Sequence, residues 1–386
     1  MEVGFLTVIG IICEYNPLHL GHKKQLNIIK QSFPEGGIVC LMSGNYVQRG
    51  KPAIVDKSLR AKAAVLSGAD LVLELPLTAS LSSAESFAAE GVRLLGGFCD
   101  QLCFGAETAD AETLINTATA LLSPEFSSYL AQELEKGLSF PAARQEALEA
   151  LGLSGDILAQ PNDILATEYC KAILSQNCQM KPMPIRRQGG YHDLLADPEN
   201  PSATAVRSLM LQSGAWLDYV PEEARDCFRG APLHSLSAGE RAILGRLRTM
   251  TDAEFEVLPF GSEGLWRKLM HEARQKATVE EILTAVKSKR YTRTRLDRMV
   301  MCAFLGLTQE DLNTPAPYAR VLAFNDKGRE ILKLARSTGS FPNAGEKQEH
   351  PYQVLEDRAG SLYGLFCMDT PERPDAEANR RVCYLP

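Results

Sequence analysis

The sequence predicts an α/β protein in which a Rossmann-like parallel sheet domain is followed by a mainly helical C-terminal domain. Three observations support this prediction. Apolar, β-branched runs alternate with amphipathic segments from residue 7 to residue 104, as expected for parallel strands joined by helical crossovers. Helical patterns dominate after residue 221. A chain of 386 residues is also long for one compact core, so two domains are expected.

The first half of the chain is expected to form a doubly wound sheet. Residues 7–13 are continuously apolar, which is typical of a strand buried on both faces. The other predicted strands of this half are 37–43, 70–75, 101–104 and 184–187. The helices predicted beside them are 21–31, 56–67, 82–95, 164–174 and 205–212.

The rest of the chain is predicted to be largely helical. A helical insertion is expected at about residues 110–160, and the first domain is expected to span residues 1–220. The second domain, residues 221–386, carries one predicted strand at 318–323. Its predicted helices are 237–249, 264–273, 279–287, 295–304 and 328–337.

Composition restricts the class of protein. The formal net charge is −7, so a basic binding surface can only be local. The ten cysteines form no CxxC pair and show no zinc spacing, so we predict reduced thiols and no metal site built from side chains. The N-terminus lacks the features of a signal peptide and no run is long enough to span a membrane. A cytoplasmic protein with no membrane partner is expected, and no protein partner is evident.

The strongest chemical signal is the HxGH motif formed by His19, Gly21 and His22. It follows the first predicted strand and begins the first helix, where free N–H groups and the helix dipole favour bound phosphate. Glycine allows close approach of a nucleotide, and two imidazoles can donate hydrogen bonds to phosphoryl oxygens. The alternative is a pair of surface histidines at a helix start, but the strand–helix context favours a nucleotide site.

A second phosphate-binding motif is predicted at residues 202–207, where Ser202 and Thr204 begin a helix and Arg207 follows within one turn. Hydroxyl groups cap free backbone amides, and an arginine can neutralise a triphosphate. Alone, this pattern is that of an ordinary helix cap with a solvated arginine. Next to an HxGH unit it matches the second phosphate motif of nucleotidyltransferases.

Weaker candidates follow other predicted strands. The polar loop 43–51 could line the substrate cleft, although it lacks the spacing of a P-loop, and Lys57 and Arg60 on the next helix could face phosphate. Further candidates for nucleotide contact, each of which alone would be a turn or a cap, are Gly105, Asn162, Arg186 and Arg187.

A basic segment is the main signal in the second half. Its cationic and aromatic members, in an otherwise acidic chain, could bind the phosphates and stack on a base of RNA. A solvated helix junction is the equally weighted alternative. The residues predicted to bind tRNA are Lys287, Lys289, Arg290, Tyr291, Arg293 and Arg295.

Several motifs in order give the chain a family resemblance. These are residues 13–22, 43–52, 74–76, 189–193 and 202–207, together with 291–293 and 324–328. The sequence resembles the bacterial tRNA(Met) cytidine acetate ligases, which belong to the HxGH nucleotidyltransferase (HUP) superfamily. The resemblance covers most of the chain.

This resemblance implies a two-step reaction. ATP, with Mg²⁺, and acetate would give acetyl-adenylate and pyrophosphate, and the acetyl group would pass to N4 of the wobble cytidine of elongator tRNA(Met). His19, His22, Lys23 and Arg207 are the expected catalytic residues, while Glu14 and Asp193 are candidates for a general base. The expected ATP contacts are Ile12, Cys13, Glu14, Tyr15, Asn16, Pro17, His19, Gly21, His22, Gln25, Gly105, Asn162, Arg186, Arg187, Ser202 and Thr204.

Two other functions remain open at this point. One is an adenylyltransferase acting on a small phosphorylated substrate, which the large second domain disfavours because such enzymes are usually compact. The other is a non-catalytic RNA-binding protein that keeps a nucleotidyltransferase fold. A panel of small acceptors distinguishes the first from an RNA-modifying enzyme, and substitution of His22 distinguishes the second.

Overall fold

The computed structural model describes residues 6–187, 201–212, 214–288 and 290–386. Within these residues, seven strands form one sheet, and two short strands form a separate antiparallel hairpin. The strands are β1 Val8–Cys13, β2 Gly37–Ser43, β3 Tyr46–Val47, β4 Lys51–Pro52, β5 Leu71–Leu75, β6 Gln101–Ala106, β7 Lys181–Arg186, β8 Val321–Phe324 and β9 Cys383–Tyr384.

The strand order in the sheet is β7-β6-β1-β2-β5-β8-β9. All pairs are parallel except β5 with β8, which is antiparallel. The chain therefore winds outwards in both directions from β1, and the predicted Rossmann-like sheet is confirmed. β1 and β2 lie at its centre, which explains their continuous apolar sequence, since helices cover both faces of a parallel sheet.

Helices make up most of the remaining described structure. Those of the first half are α1 Leu20–Ser32, α2 Lys57–Leu66, α3 Leu77–Ser80, α4 Ala84–Leu95, α5 Ala111–Leu121, α6 Pro124–Glu135, α7 Phe140–Glu149, α8 Pro161–Ser175 and α9 Ala203–Leu211. Those of the second half are α10 Arg225–Phe228, α11 Leu236–Thr249, α12 Asp252–Glu256, α13 Leu265–Ala273, α14 Val279–Val286, α15 Arg293–Leu305, α16 Gln309–Asn313, α17 Asp326–Arg336 and α18 Pro351–Tyr363.

Each face of the sheet is covered by its own apolar core. On one face α4, α5, α8 and α17 pack on the sheet through residues such as Phe87, Leu114 and Ile331. On the other face α1, α2, α9 and α10 contribute Leu26, Val206 and Phe228 among others. The apolar spacing that predicted these helices is thus the spacing of their sheet-facing residues.

A third core belongs to the helices of the second half. Leu247, Leu269, Ile282 and Met301 meet there, joined by Tyr46 from the β3–β4 hairpin. Most residues of this core come from the range predicted as a helical domain, and α5, α6 and α7 lie in the range predicted as an insertion. The division at residue 221 stays a prediction, and one observation qualifies it: β8 and β9 come from beyond that residue and extend the first-half sheet.

The C-terminal tail, for which the sequence gives only a weak pattern, is attached by buried ion pairs. The Lys57 ammonium lies 2.6 Å from a carboxylate oxygen of Glu74 and 2.7 Å from one of Glu377. Arg380 contacts Asp56 at 2.7 Å. Each of these charges has an oppositely charged partner, as buried charges require. Within the described residues, no helix is long and apolar enough to cross a membrane.

Candidate active site

A cavity of about 370 Å³ opens where the carboxyl ends of β1, β6 and β7 meet the N-termini of α1 and α9. Ligands of open α/β sheets bind at this end of the strands, and the volume suits a nucleotide-sized molecule. The residues that line it are Ile11, Ile12, Cys13, Glu14, Tyr15, Asn16, His19, Gly21, His22, Lys24, Gln25, Ile28, Gln48, Arg49, Phe87, Phe104, Gly105, Asn162, Leu165, Tyr169, Ile185, Arg186, Arg187, Pro201, Ser202, Ala203, Thr204 and Arg207.

The HxGH motif forms the first turn of α1 at the cavity wall. His19 is the N-cap: its Nδ1 accepts the Gly21 N–H at 3.1 Å, and its own N–H is accepted by Nδ1 of His22 at 3.2 Å. The two rings stack with centroids 3.7 Å apart. A Cβ atom on Gly21 would lie 3.0 Å from Cε1 of His19, so a larger residue would disturb the ring that makes the cap.

These hydrogen bonds determine where the imidazole protons lie. Because each Nδ1 accepts a hydrogen bond, a neutral ring at either position carries its hydrogen on Nε2. Nε2 of His19 is buried and has no hydrogen-bond partner among the described residues. A buried N–H without a partner is costly, and an acceptor atom of a ligand in the cavity would satisfy it.

The electrostatic environment keeps both rings neutral. Burial, together with the nearby Arg187 and Arg207 guanidinium groups, lowers the pKa of His19 to about 3. Burial, His19 and Arg187 likewise lower the pKa of His22 well below its ordinary value. Near pH 7 the motif therefore presents uncharged N–H donors, and the positive charge of the site resides on the arginine and lysine side chains of the lining.

The second motif lies beside the first. Ser202 caps α9 by accepting the Ala205 N–H at 3.0 Å. Arg207 donates to the backbone oxygen of Asn16 at 2.6 Å and to the Thr204 hydroxyl at 3.0 Å. The structure thus brings the motifs near residues 19–22 and 202–207 to one cavity, although about 180 residues of sequence separate them.

The third wall is formed by the ends of β6 and β7 and the start of α8. Arg187 donates to the side-chain oxygen of Asn162 at 3.2 Å, and the Asn162 amide donates to Glu107 at 2.5 Å. A Cβ atom on Gly105 would meet no atom of the described residues within 4 Å, so the missing side chain leaves room in the cavity itself. Arg186 also lines the cavity and is exposed.

The basic segment, residues 287–298, has a different character. Arg290 lies 2.6 Å from Glu263, whose other carboxylate oxygen accepts the Tyr291 hydroxyl at 3.2 Å. Arg293 makes a two-pronged contact with Glu280, with distances of 2.7 and 2.6 Å. Acidic neighbours thus offset part of its positive charge.

Other members of the basic segment serve the fold or lie on the surface. Arg295 donates to the backbone oxygen of Phe260 at 3.1 and 2.8 Å and to Ser262 at 2.9 Å. Lys287 is exposed. Lys289 lies outside the described residues, as does the 189–193 motif that includes Asp193.

Comparison with known proteins identifies the family. Residues 6–377 match the HIGH Nucleotidyl Transferase family model. The tRNA(Met) cytidine acetate ligase of Clostridium novyi (strain NT) is 38% identical, with 98% of this chain and 100% of that protein covered. The protein of the same name from Clostridium acetobutylicum is 36% identical over 94% of this chain and 96% of that one. The chain belongs to the tRNA(Met) cytidine acetate ligase family.

Solved structures agree with this assignment. The crystal structure of apo Thermotoga maritima TmcAL (form I) matches with a TM-score of 0.90 at 29% identity, covering 98% of this chain and 100% of that chain. A second crystal form of the same protein, bound with alpha-thio ATP, matches with a TM-score of 0.86 over the same coverage. The second solved structure is that of a relative with an ATP analogue bound.

Several predicted residues of this family member do not reach the cavity. Lys23 points away from it, because its ammonium lies 2.5 Å from Glu223 and 3.0 Å from the Ser67 carbonyl oxygen. Pro17 is buried outside the lining. Lys57 is held by Glu74 of β5 and Glu377 of the tail. Arg60 donates to backbone carbonyl oxygens, which are those of Val55, Glu14, Ser43 and Gly44. The expectation that these last two cations face phosphate is therefore wrong.

Other residues line the cavity although the sequence did not single them out individually. Gln48 and Arg49 come from the 43–51 loop, whose place at the cleft was expected only for the loop as a whole. Lys24 lies two residues after the HxGH motif. The apolar lining residues carry no chemical signal in a sequence, because core residues have the same composition. They are Ile11, Ile28, Phe87, Phe104, Leu165, Tyr169 and Ile185.

Proposed function

We propose that this protein activates acetate with ATP and transfers the acetyl group to N4 of the wobble cytidine of elongator tRNA(Met), giving N4-acetylcytidine. The observation that carries the proposal is the cavity in which the HxGH imidazoles, both neutral, and Arg207 converge. The named activity of relatives that match nearly the whole chain gives the reaction, and the relative with bound alpha-thio ATP supports ATP as co-substrate.

In this proposal the nucleotide lies across the three walls of the cavity. The Nε2–H groups of His19 and His22 donate to phosphoryl oxygens, and Gly21 keeps the turn narrow. Arg207 neutralises the triphosphate, with the hydroxyls of Ser202 and Thr204 beside it. The adenosine lies on the third wall, where its contacts come from Gly105, Asn162, Arg186 and Arg187.

The first step requires positioning and charge stabilisation more than covalent help. Acetate attacks the α-phosphorus, and pyrophosphate leaves. Two negatively charged reactants must meet, so donors that are already fixed in place lower the barrier without reorganising. His19 suits this role because its N–H is buried and held in one direction by the cap. Lys23 takes no part, since Glu223 and Ser67 hold it elsewhere.

Mg²⁺ is expected to accompany the triphosphate. Within the described residues, no three histidine, cysteine or carboxylate side chains converge to hold a metal ion. A magnesium ion in this site would therefore be held mainly by the phosphates and water, as is common for nucleotide-bound Mg²⁺.

We further infer that tRNA docks on the basic segment. The basic segment lies next to the cavity, because its Arg298 donates to the carbonyl oxygen of the cavity-lining Gln48 at 3.4 Å. Close packing supports the same contact: a Cβ atom on Gly50 would lie 2.4 Å from the backbone nitrogen of Arg298. RNA on this segment would thus reach the cavity mouth. Because ATP and tRNA meet in the cytoplasm, we infer that location as well.

Mass analysis of tRNA tests the function. The protein is incubated with ATP, Mg²⁺, labelled acetate and unmodified elongator tRNA(Met). The proposal predicts one acetyl group per tRNA, on the wobble cytidine, and acetate-dependent pyrophosphate release. Adenylylation of a small phosphorylated acceptor without RNA would indicate the simple adenylyltransferase instead. RNA binding without either product would indicate a non-catalytic binding protein.

A further inference from the structure

One residue of the cavity lining differs from the others in carrying a carboxylate. Among the lining residues that the structure describes, Glu14 is the sole aspartate or glutamate. Five lysines and arginines line the same cavity, namely Lys24, Arg49, Arg186, Arg187 and Arg207. A negative charge beside a triphosphate weakens nucleotide binding through repulsion, so a carboxylate here calls for a role other than holding ATP.

The position of this carboxylate is fixed. Glu14 directly follows β1, and its Oε1 accepts the backbone N–H of Gln48 at 2.9 Å. Among the described residues no hydrogen bond to the second oxygen, Oε2, is present, and the side chain is half-buried. One oxygen is therefore anchored, while the other keeps its capacity to accept a proton.

The contact between Glu14 and Gln48 lies on the side of the cavity next to the basic segment, where tRNA is proposed to dock. The backbone of Gln48 makes both contacts: its N–H donates to Glu14, and its carbonyl oxygen accepts a hydrogen bond from Arg298 of α15. α15 begins at Arg293, inside the basic segment. Glu14 therefore lies on the cavity wall shared with that segment, whereas Asn162 and Arg187 form the wall across β6 and β7.

We propose that Glu14 is the general base of acetyl transfer, an inference that rests on the proposed function. The N4 lone pair of cytidine attacks the acetyl carbonyl carbon, and the new N4–C bond forms. The bond from that carbon to the phosphate oxygen breaks, and AMP leaves with its electron pair. The proton lost from N4 passes to Oε2 of Glu14. An aromatic amine is a weak nucleophile, so removal of its proton as the bond forms lowers the barrier.

Glu14→Gln tests the assignment with little change in shape. The glutamine oxygen can still accept the Gln48 N–H, but the side chain can no longer take up a proton. Acetate-dependent exchange of pyrophosphate into ATP reports the first step, and we expect it to stay within about threefold of wild type or to rise as repulsion is relieved. Single-turnover transfer of acetyl to tRNA reports the second, and we expect a loss of about 100-fold or more.

Glu35→Gln is the matched control, since it makes the same chemical change at an exposed position outside the cavity lining. Both steps should equal those of wild type. Glu14→Asp should transfer acetyl faster than Glu14→Gln, because the aspartate keeps a carboxylate that accepts the proton, although this group lies farther from N4 than that of glutamate. Rescue of this kind is not expected if the side chain only supports the Gln48 loop.

Three outcomes overturn the inference. Parallel loss of both steps in Glu14→Gln would mean a structural or nucleotide-binding role. Loss of exchange that is restored by raised Mg²⁺ would mean a metal ligand. Normal transfer in Glu14→Gln would mean that another group accepts the proton. Failure of the proposed function is distinct from all three, since wild-type protein would then transfer no acetate to tRNA.

Discussion

The cavity and the basic segment are both proposed to bind a negatively charged partner, but their polar groups are arranged in opposite ways. In the cavity, His19 is 3% exposed and neutral, and its Nε2 has no hydrogen-bond partner in the part of the chain that the structure describes. In the basic segment, the Arg290 side chain is 69% exposed and its charge is met by Glu263. Buried donors act at full strength on one fixed ligand, whereas exposed paired charges act weakly and over a broad surface.

The largest expected effect tests the cavity side of this comparison. His19→Asn keeps a side chain that caps helices well but removes the buried Nε2–H. We expect acetate-dependent pyrophosphate exchange to fall about 100- to 1,000-fold, the usual loss for one preorganised donor. Equilibrium tRNA binding should hardly change. If exchange persists at the wild-type rate, the buried imidazole does not act on phosphate, and the role proposed for the cavity is wrong.

Burial of the His19 imidazole should also make the free energy of unfolding depend on pH. The folded-state pKa of His19 is about 3 and its ordinary value is 6.5, so between these pH values the unfolded chain binds a proton that the folded chain does not. Stability is therefore lost as pH falls from 6.5 towards 3, amounting to about 2 kcal/mol at pH 5. Asparagine does not titrate.

The measurement compares urea unfolding of wild type and His19→Asn at pH 7 and pH 5. Wild type should lose about 2 kcal/mol more than the variant over this interval, because all other titrating groups are common to both. Equal losses would show that His19 is protonated in the folded protein, and the neutral-donor account of the cavity would then be wrong.

The features that were predicted correctly from the sequence depend on residues that lie close together in the chain. The buried strands β1 and β2 and the helix that starts at His19 are defined by short-range periodicity and capping, and the structure has them within one or two residues of their predicted bounds. The convergence of the 19–22 and 202–207 motifs also followed, because strand ends of a parallel sheet share one edge.

Long-range partners account for what the sequence could not predict. Lys23 and Lys57 look like free cations in a sequence, and only the fold brings Glu223 to the first and Glu377 to the second. The antiparallel β8 pairs with β5, from which more than 200 residues separate it, and its short apolar run does not specify a neighbour. Glu263 and Glu280 precede the arginines that they contact by 27 and 13 residues, which is outside the three- or four-residue spacing of a helix pair.

On the basic-segment side, Arg290→Ala combined with Arg293→Ala should weaken tRNA binding about tenfold near physiological salt. Pyrophosphate exchange should stay at the wild-type level, since neither residue lines the cavity. The slope of log affinity against log salt should fall by up to about two. Arg248→Ala with Arg274→Ala, at exposed arginines outside the segment, is the control. Equal loss of exchange and binding would indicate a structural role.

The smallest expected effect comes from the acidic partners. If Glu263 and Glu280 only offset the arginines, then Glu263→Gln with Glu280→Gln should tighten tRNA binding by about two- to fivefold, the scale of exposed ion pairs. The contact with Arg293 lowers the pKa of Glu280, so this carboxylate is charged near pH 7 and its neutralisation matters there. Filter binding at low and high salt measures it, and the gain should shrink at high salt as screening increases. Weaker binding would mean that the carboxylates orient the arginines for RNA, which would make the segment a preorganised site like the cavity.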